Sequence, residues 1–182
     1  MAQHSIREIA DFLVQTKLLE LDQLLGYTEA EINHLEGLVG SPLPLSFRQF
    51  LKIMGHGAGN LFEGEDFFFL SPHWYSTLRD NAVALLAENG NPFTLPENAF
   101  VFTSHQGWMF AYFLLDPDED DPPVYSYGET DEGEVPVRDA DTFTQYLKSR
   151  IDLEMEQHRD RQKARGIGSP SPPKNEGNPA SR

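Results

Sequence analysis

Apolar residues along this chain alternate between two periods, and the places where the period changes mark its elements. Ile6, Ile9, Phe12 and Leu13 recur at helical intervals behind Ser5 and Glu8, which have capping-box spacing. Residues 18–25 either extend that helix or form a second turn before Gly26. Thr28 and Glu31 repeat the capping-box spacing, with Ile32, Leu35 and Leu38 on one apolar face, and Gly37, Gly40 and Ser41-Pro42 end the helix. Behind Pro44, Phe47, Phe50, Leu51 and Met54 fall at i, i+3, i+4 and i+7, a core-facing stripe stopped by Gly55 and Gly57. Tyr75, Leu78, Ala82, Leu85 and Leu86 predict a further helix, opened by Ser71-Pro72 and closed at Asn89-Gly90.

The strand signals lie between and after these helices. Residues 66–70 (DFFFL) and 99–103 read as strands, and Ser104 to Gly107 as a turn. Residues 108–115 form the longest apolar run and suit a buried central strand, which would take Trp108 into the core. Residues 116–123 cannot continue a sheet, because proline lacks the amide donor and adjacent carboxylates repel. Residues 124–127 resume the β pattern. The three strands predict an antiparallel meander in the middle of the main sheet, with function on its solvent-facing rim. Asp141 or Thr142 caps a last helix with Phe143, Tyr146, Leu147 and Ile151 inward. Past Leu153 the helix turns highly charged, and residues 166–182 have the composition of a disordered tail.

With 182 residues, the chain suits one domain plus extensions. The division expected is a helical extension over 1–27, an α+β domain over 28–153, and a charged helix end and tail over 154–182. Charge changes the picture more than length does. The formal charge is -15, and from Lys148 onward eight cations meet five acids, so the first 147 residues carry -18 against +3 for the rest. Such a body repels phosphate backbones and anionic membranes and attracts basic partners. With no cysteine, there is no disulfide, thiolate nucleophile or Cys-type zinc site. MAQHSIREIADF lacks the basic region and apolar core of a signal peptide, and no apolar run approaches the ~18 residues of a membrane span. A soluble cytoplasmic protein is expected, with neither nucleic acid nor membrane as its direct partner; its oligomeric state is open.

Candidate chemistry is thin. Asp116, Asp118, Asp120 and Asp121 suggest calcium, but a loop of EF-hand type begun at Asp116 needs Gly and Glu where Asp121 and Tyr127 stand. The glycines of residues 55–59 follow a helix instead of a strand and lack a downstream Lys-Ser, so they read as a helix stop. His56, His73 and His105 have no metal-ligand spacing, and Ser104-His105 has no nucleophile-elbow glycines. No catalytic residue, metal or cofactor is assigned. Trp74, one position off its helix's apolar stripe, is balanced between core and interface.

Two blocks in order, EINHLEGLVG with LPLSFRQFLKIMGHGAG and then WMFAYFLLDPDEDDPPVYSYGE with DTFTQYLK, resemble the SUKH superfamily of bacterial immunity proteins, related to a fungal regulator of cell-wall synthesis. The matching residues are Glu31, Leu35, Leu43, Pro44, Phe47, Phe50, Leu51, Gly55, Asp116, Pro123, Val124, Tyr125, Phe143 and Leu147, over residues 28–149. The chain departs from the family pattern in the glycines after Met54, the expanded acidic loop, the N-terminal helix and the basic tail. The resemblance implies an α+β fold, one mainly antiparallel sheet with helices packed against it. It also implies a non-catalytic binding protein that neutralises a cognate toxin, nucleases being common among such toxins. The acidic body fits a basic toxin independently. The expected contacts are Asp118, Glu119, Asp120, Asp121, Glu129, Asp131, Glu132 and Glu134, with Trp74 and Tyr127 as desolvated anchors. A regulatory scaffold of the fungal type is the alternative, and a metal-dependent enzyme a more distant one.

Overall fold

Both predicted capping boxes close. Ser5 Oγ accepts from the Glu8 amide while Glu8 Oε2 accepts from the Ser5 amide, and Thr28 and Glu31 do the same. They start helices α1 (Ile6–Gln15) and α2 (Glu29–Val39), the latter ending at Gly40 in the left-handed conformation, φ 72°. The computed structural model describes residues 5–63, 71–129 and 135–166. After α1 and a 3-10 turn at Leu21–Gln23 come strand β1 (Leu24–Leu25), α2, α3 (Leu45–Met54), β2 (Gly57–Ala58) and α4 (Trp74–Glu88). Then follow β3 (Ala99–His105), β4 (Met109–Leu114), β5 (Val124–Gly128), β6 (Val137–Ala140) and α5 (Phe143–Gly166). The main sheet is an antiparallel meander in the order β3-β4-β5-β6, and β1 and β2 form a separate antiparallel pair. The fold is α+β, as predicted. The expected strand over 66–70 and the tail over 167–182 lie outside the described residues.

The core sits between the sheet and helices α3 and α5. Every residue of the predicted α3 stripe, Phe47, Phe50, Leu51 and Met54, is buried. The Phe47 ring lies 5.2 Å from those of Phe100, Phe113 and Phe143, so one side chain joins two strands and two helices. On the other face Phe110 packs on Tyr127 at 5.8 Å, and Tyr127 Oη accepts a hydrogen bond from Asn89 Nδ2 at the end of α4. Helix α1 is part of the same core, with Ile6, Ile9, Ala10 and Leu13 all buried in it.

Several expectations need correction. Phe12 and Leu38 sit on their helices' predicted apolar faces but are 41% and 50% exposed, because those stripes are wider than the surface they meet. Helix α4 begins at Trp74, two residues after Pro72; Ser71 and Pro72 form the turn before it, their carbonyls accepting from the Trp74 and Tyr75 amides. The meander is not all interior to the sheet, since β3 is an edge strand and β6, unforeseen, is the other. Trp108 is no core residue. Strand β3 runs on through buried Ser104 to His105, which pairs with Met109, and in the three-residue loop between them Gln106 and Gly107 take φ of 47° and 80°. Trp108 N–H then donates to the His105 carbonyl at 3.0 Å, which leaves the indole at the hairpin tip, 41% exposed and edge-on to the His105 ring.

Candidate functional site: an acidic loop fixed by two helix starts

The loop from 115 to 123 leaves β4, crosses the starts of α3 and α5, and returns as β5. Its first residue is pinned by reciprocal bonds: Leu115 N–H donates to the Asn98 carbonyl and Asn98 Nδ2 donates to the Leu115 carbonyl. Asp116 closes a local turn, its Oδ1 accepting from the Asp118 amide at 3.0 Å and its carbonyl from the Glu119 amide at 3.1 Å. Two further bonds tie the loop to helix N-termini, where amides have no partner within the helix. Ser46 N–H in α3 donates to the Asp120 carbonyl at 2.9 Å. Thr144 N–H in α5 donates to Asp121 Oδ1 at 3.0 Å, next to a second cap in which Gln145 N–H donates to Thr142 Oγ1. Asp121 thereby also meets the positive end of the α5 dipole.

The result is four carboxylates, Asp116, Asp118, Glu119 and Asp120, exposed on a backbone held at its start, middle and end. None of the four is in an ion pair among the described residues. The cations of α3 are engaged elsewhere: Arg48 bonds Glu36 at 2.6 Å and Glu29 at 3.1 Å, and Lys52 also pairs with Glu29. The bond to Lys52 holds the Glu29 carboxyl below its usual range, and Glu36 raises the affinity of Arg48 for its proton. These contacts lock α2 to α3 and keep neighbouring positive charge away from the loop. A glycine serves the same packing. A Cβ on Gly26 would lie 1.9 Å from the Lys52 carbonyl, so this crossing of α3 admits only glycine.

The predicted contact residues do not form one patch. Asp118, Glu119 and Asp120 stand on the exposed loop; Asp121 beside them is half-buried and spent on α5. Glu129 is at the opposite end of the sheet, its amide donating to the Trp108 carbonyl at 2.7 Å. The six residues of β4 separate the two ends, about 20 Å at roughly 3.4 Å per residue. Asp131, Glu132 and Glu134 lie outside the described residues. Trp74 is 53% exposed. A groove lined by Pro72, Tyr75 and Leu115 puts the start of α4 near the β4 end of the acidic loop, though Trp74 itself does not line it. Tyr127 is not a surface anchor: it is 1% exposed, packed on Phe110 and bonded to Asn89. Trp108 stands exposed near Glu129 instead. Its place was hidden by the apolar run that follows it, although Gln106-Gly107 carried the turn signal.

Groups of acid and histidine elsewhere are structural. His56 Nε2 is 2.9 Å from Glu31 Oε1, and its ring lies 4.2 Å from that of Tyr27, a cluster that seats the β1–β2 pair on α2. Bonds from the Thr28 backbone and hydroxyl, then the His56 contact, hold the Glu31 carboxyl below its ordinary value. Burial pushes the Tyr27 and Tyr75 phenols up. Among the described residues no three His, Asp or Glu side chains are grouped to hold a metal ion, and no helix is long and apolar enough to cross a membrane.

Comparison with curated proteins finds no match to the chain. The model of the SMI1 / KNR4 family (SUKH-1) matches residues 26–149. The match begins at the glycine that seats against α3, includes the acidic loop, and ends within α5. The chain belongs to the SMI1 / KNR4 family (SUKH-1).

Proposed function

We propose that this protein is a non-catalytic binding module of the immunity type, which neutralises a basic toxin by covering its working face with the acidic loop. The observation that carries this reading is the fixed presentation of Asp116, Asp118, Glu119 and Asp120, without cationic partners among the described residues, by bonds to α3 and α5. A nuclease that grips nucleic acid is cationic where it works, and a rigid array of carboxylates is complementary to it without paying to order a flexible loop on binding. Trp74, exposed at the start of α4, supplies an aromatic anchor of the kind that dominates interface energy. Trp108 and Glu129 make a second contact region at the far end of the sheet; Asp131, Glu132 and Glu134, outside the described residues, are kept as contacts from the sequence alone. Membership of the family supports a protein partner, and the charge of -15 supports a cationic one.

The test is protection. Cells expressing a toxin encoded beside this chain's gene should survive when the wild-type chain is co-expressed. They should die when Asp118→Lys and Glu119→Lys are introduced together, with the variant folded and present at wild-type level. Survival with the double variant contradicts the acidic-loop assignment. A neighbourhood without any toxin gene favours the scaffold reading instead.

A further inference from the structure

We infer that the apolar groove between α2, α4 and the start of β3 takes one apolar side chain of the protein partner, carried on a segment whose neighbouring residues are cationic. This rests on the reading that the acidic loop meets a basic protein, and it names the contact that gives that encounter its affinity. Buried Leu35, Pro72 and Tyr75 and part-buried Val39 and Leu115 line the groove, and Leu38 stands at its mouth, 50% exposed. Its volume is about 230 Å³, room for one side chain but below the ~300–1,000 Å³ typical of small-molecule sites.

The edge of the groove says what enters it. Leu115 is at once a wall of the groove and the first residue of the acidic loop, so Asp116 follows the apolar surface by a single residue. Glu97, also exposed, is a second acid in the lining. Arg79 is the cation there, and its guanidinium is engaged: it donates to the carbonyls of Ala99 at 2.8 Å, Pro96 at 2.9 Å and Leu95 at 3.5 Å, closing the connection into β3. The free charge beside the groove is therefore negative. An apolar side chain with a cation one or two positions away complements both the groove and its rim. Exposed carboxylates speed association but add little affinity; affinity comes from anchors that are desolvated inside a ring of polar contacts. Leu38 fits that role on this side of the interface, since apolar surface rimmed by polar residues marks contact sites.

The experiment is an amide NMR titration of the full chain with the acetylated, amidated peptide Lys-Lys-Leu-Lys-Lys, and with Lys-Lys-Ser-Lys-Lys as its charge-matched control, at fixed ionic strength. The expected result is saturable shifts at Leu38, Val39, Ser76 and Leu115 with the leucine peptide alone, and shifts at Asp118, Glu119 and Asp120 with both. The leucine peptide should bind about tenfold more tightly, the effect of taking part of one leucine out of water. Leu38→Ser strips the mouth of the groove, and Ser76→Phe fills it from α4; each should bring the leucine peptide down to the affinity of the serine peptide. Both positions are exposed, so the helical circular dichroism should not change. Asp118→Lys with Glu119→Lys should weaken both peptides and leave their ratio intact. Equal binding of the two peptides, or a leucine preference that survives both groove variants, would overturn the groove assignment and leave the acidic-surface reading standing. Groove shifts that follow dilution of the chain alone would assign the groove to a second copy and overturn it equally. Peptide affinities unmoved by loop charge reversal would count against the acidic surface, while the leucine preference would still report the groove.

Discussion

Asp121 and Asp118 are neighbours of the same type with opposite duties. Asp121 is half-buried and accepts from Thr144 N–H at the start of α5, whereas Asp118 faces water. Asp121→Ala should therefore lower unfolding free energy by about 1 kcal/mol, the usual cost of a lost helix-start acceptor. Asp118→Ala should stay within about 0.5 kcal/mol. Urea unfolding of the two variants reads the difference directly. Glu31 makes a pH-dependent prediction. Its carboxyl is held below the ordinary 4.5 by the Thr28 backbone and hydroxyl bonds and then by His56. The folded chain thus favours the ionised form, so the stabilisation is present above pH 4.5 and is lost as pH falls through the lowered folded value. The stability gap between wild type and Glu31→Gln, followed by urea midpoints across that range, should narrow on the acid side. Sequence told the role of Glu31 because capping boxes are local. It could not tell the role of Asp121, whose partner lies 23 residues away, nor the burial of Tyr127, which packs on Phe110 of the neighbouring strand and accepts from Asn89, 38 residues before it.

At the scale of elements, the helices were the legible part. Their apolar positions recur within a turn or two and their caps are written in adjacent residues, so α1, α2, α3 and the buried face of α4 follow from the chain. The sheet was legible only where strands are apolar. Strand β6 escaped because Val137, Arg138 and Asp139 are all exposed and show no alternation. Trp108 was misplaced because a long hydrophobic run conceals a turn when a tryptophan stands at its edge. The Gly26 crossing was also invisible, since nothing local distinguishes a close-approach glycine from a turn glycine. It yields a sharp expectation. Gly26→Ala should cost more than about 2 kcal/mol, because the contact is backbone to backbone and neither side can rotate away. Ala at Gly37, where a Cβ meets nothing within 4 Å, should be neutral or stabilising by up to about 1 kcal/mol as a helix-interior replacement. Thermal or urea unfolding of the pair checks both signs.

Across the whole molecule, the charge read from composition acquires a direction. The body's carboxylates are partly consumed by internal pairs, as Glu29 and Glu36 are by α3, and partly held out on the 116–120 loop. In the proposed function, steering depends on the second group. The candidate surface that composition suggested as one acidic rim is divided between the two ends of the sheet. A partner covering both would have to span the sheet; one gripping a single end would leave the other free for the scaffold role. The decisive measurement is the association rate with the toxin encoded beside the gene, followed by stopped-flow fluorescence from low to high salt. The wild type should associate fast at low salt, near 10⁸ M⁻¹s⁻¹ in order of magnitude, and slow steeply as salt rises. Asp118→Lys with Glu119→Lys should cut the low-salt rate by about tenfold or more and flatten the salt dependence. An unchanged rate and an unchanged salt slope would contradict the claim that this loop is the binding surface.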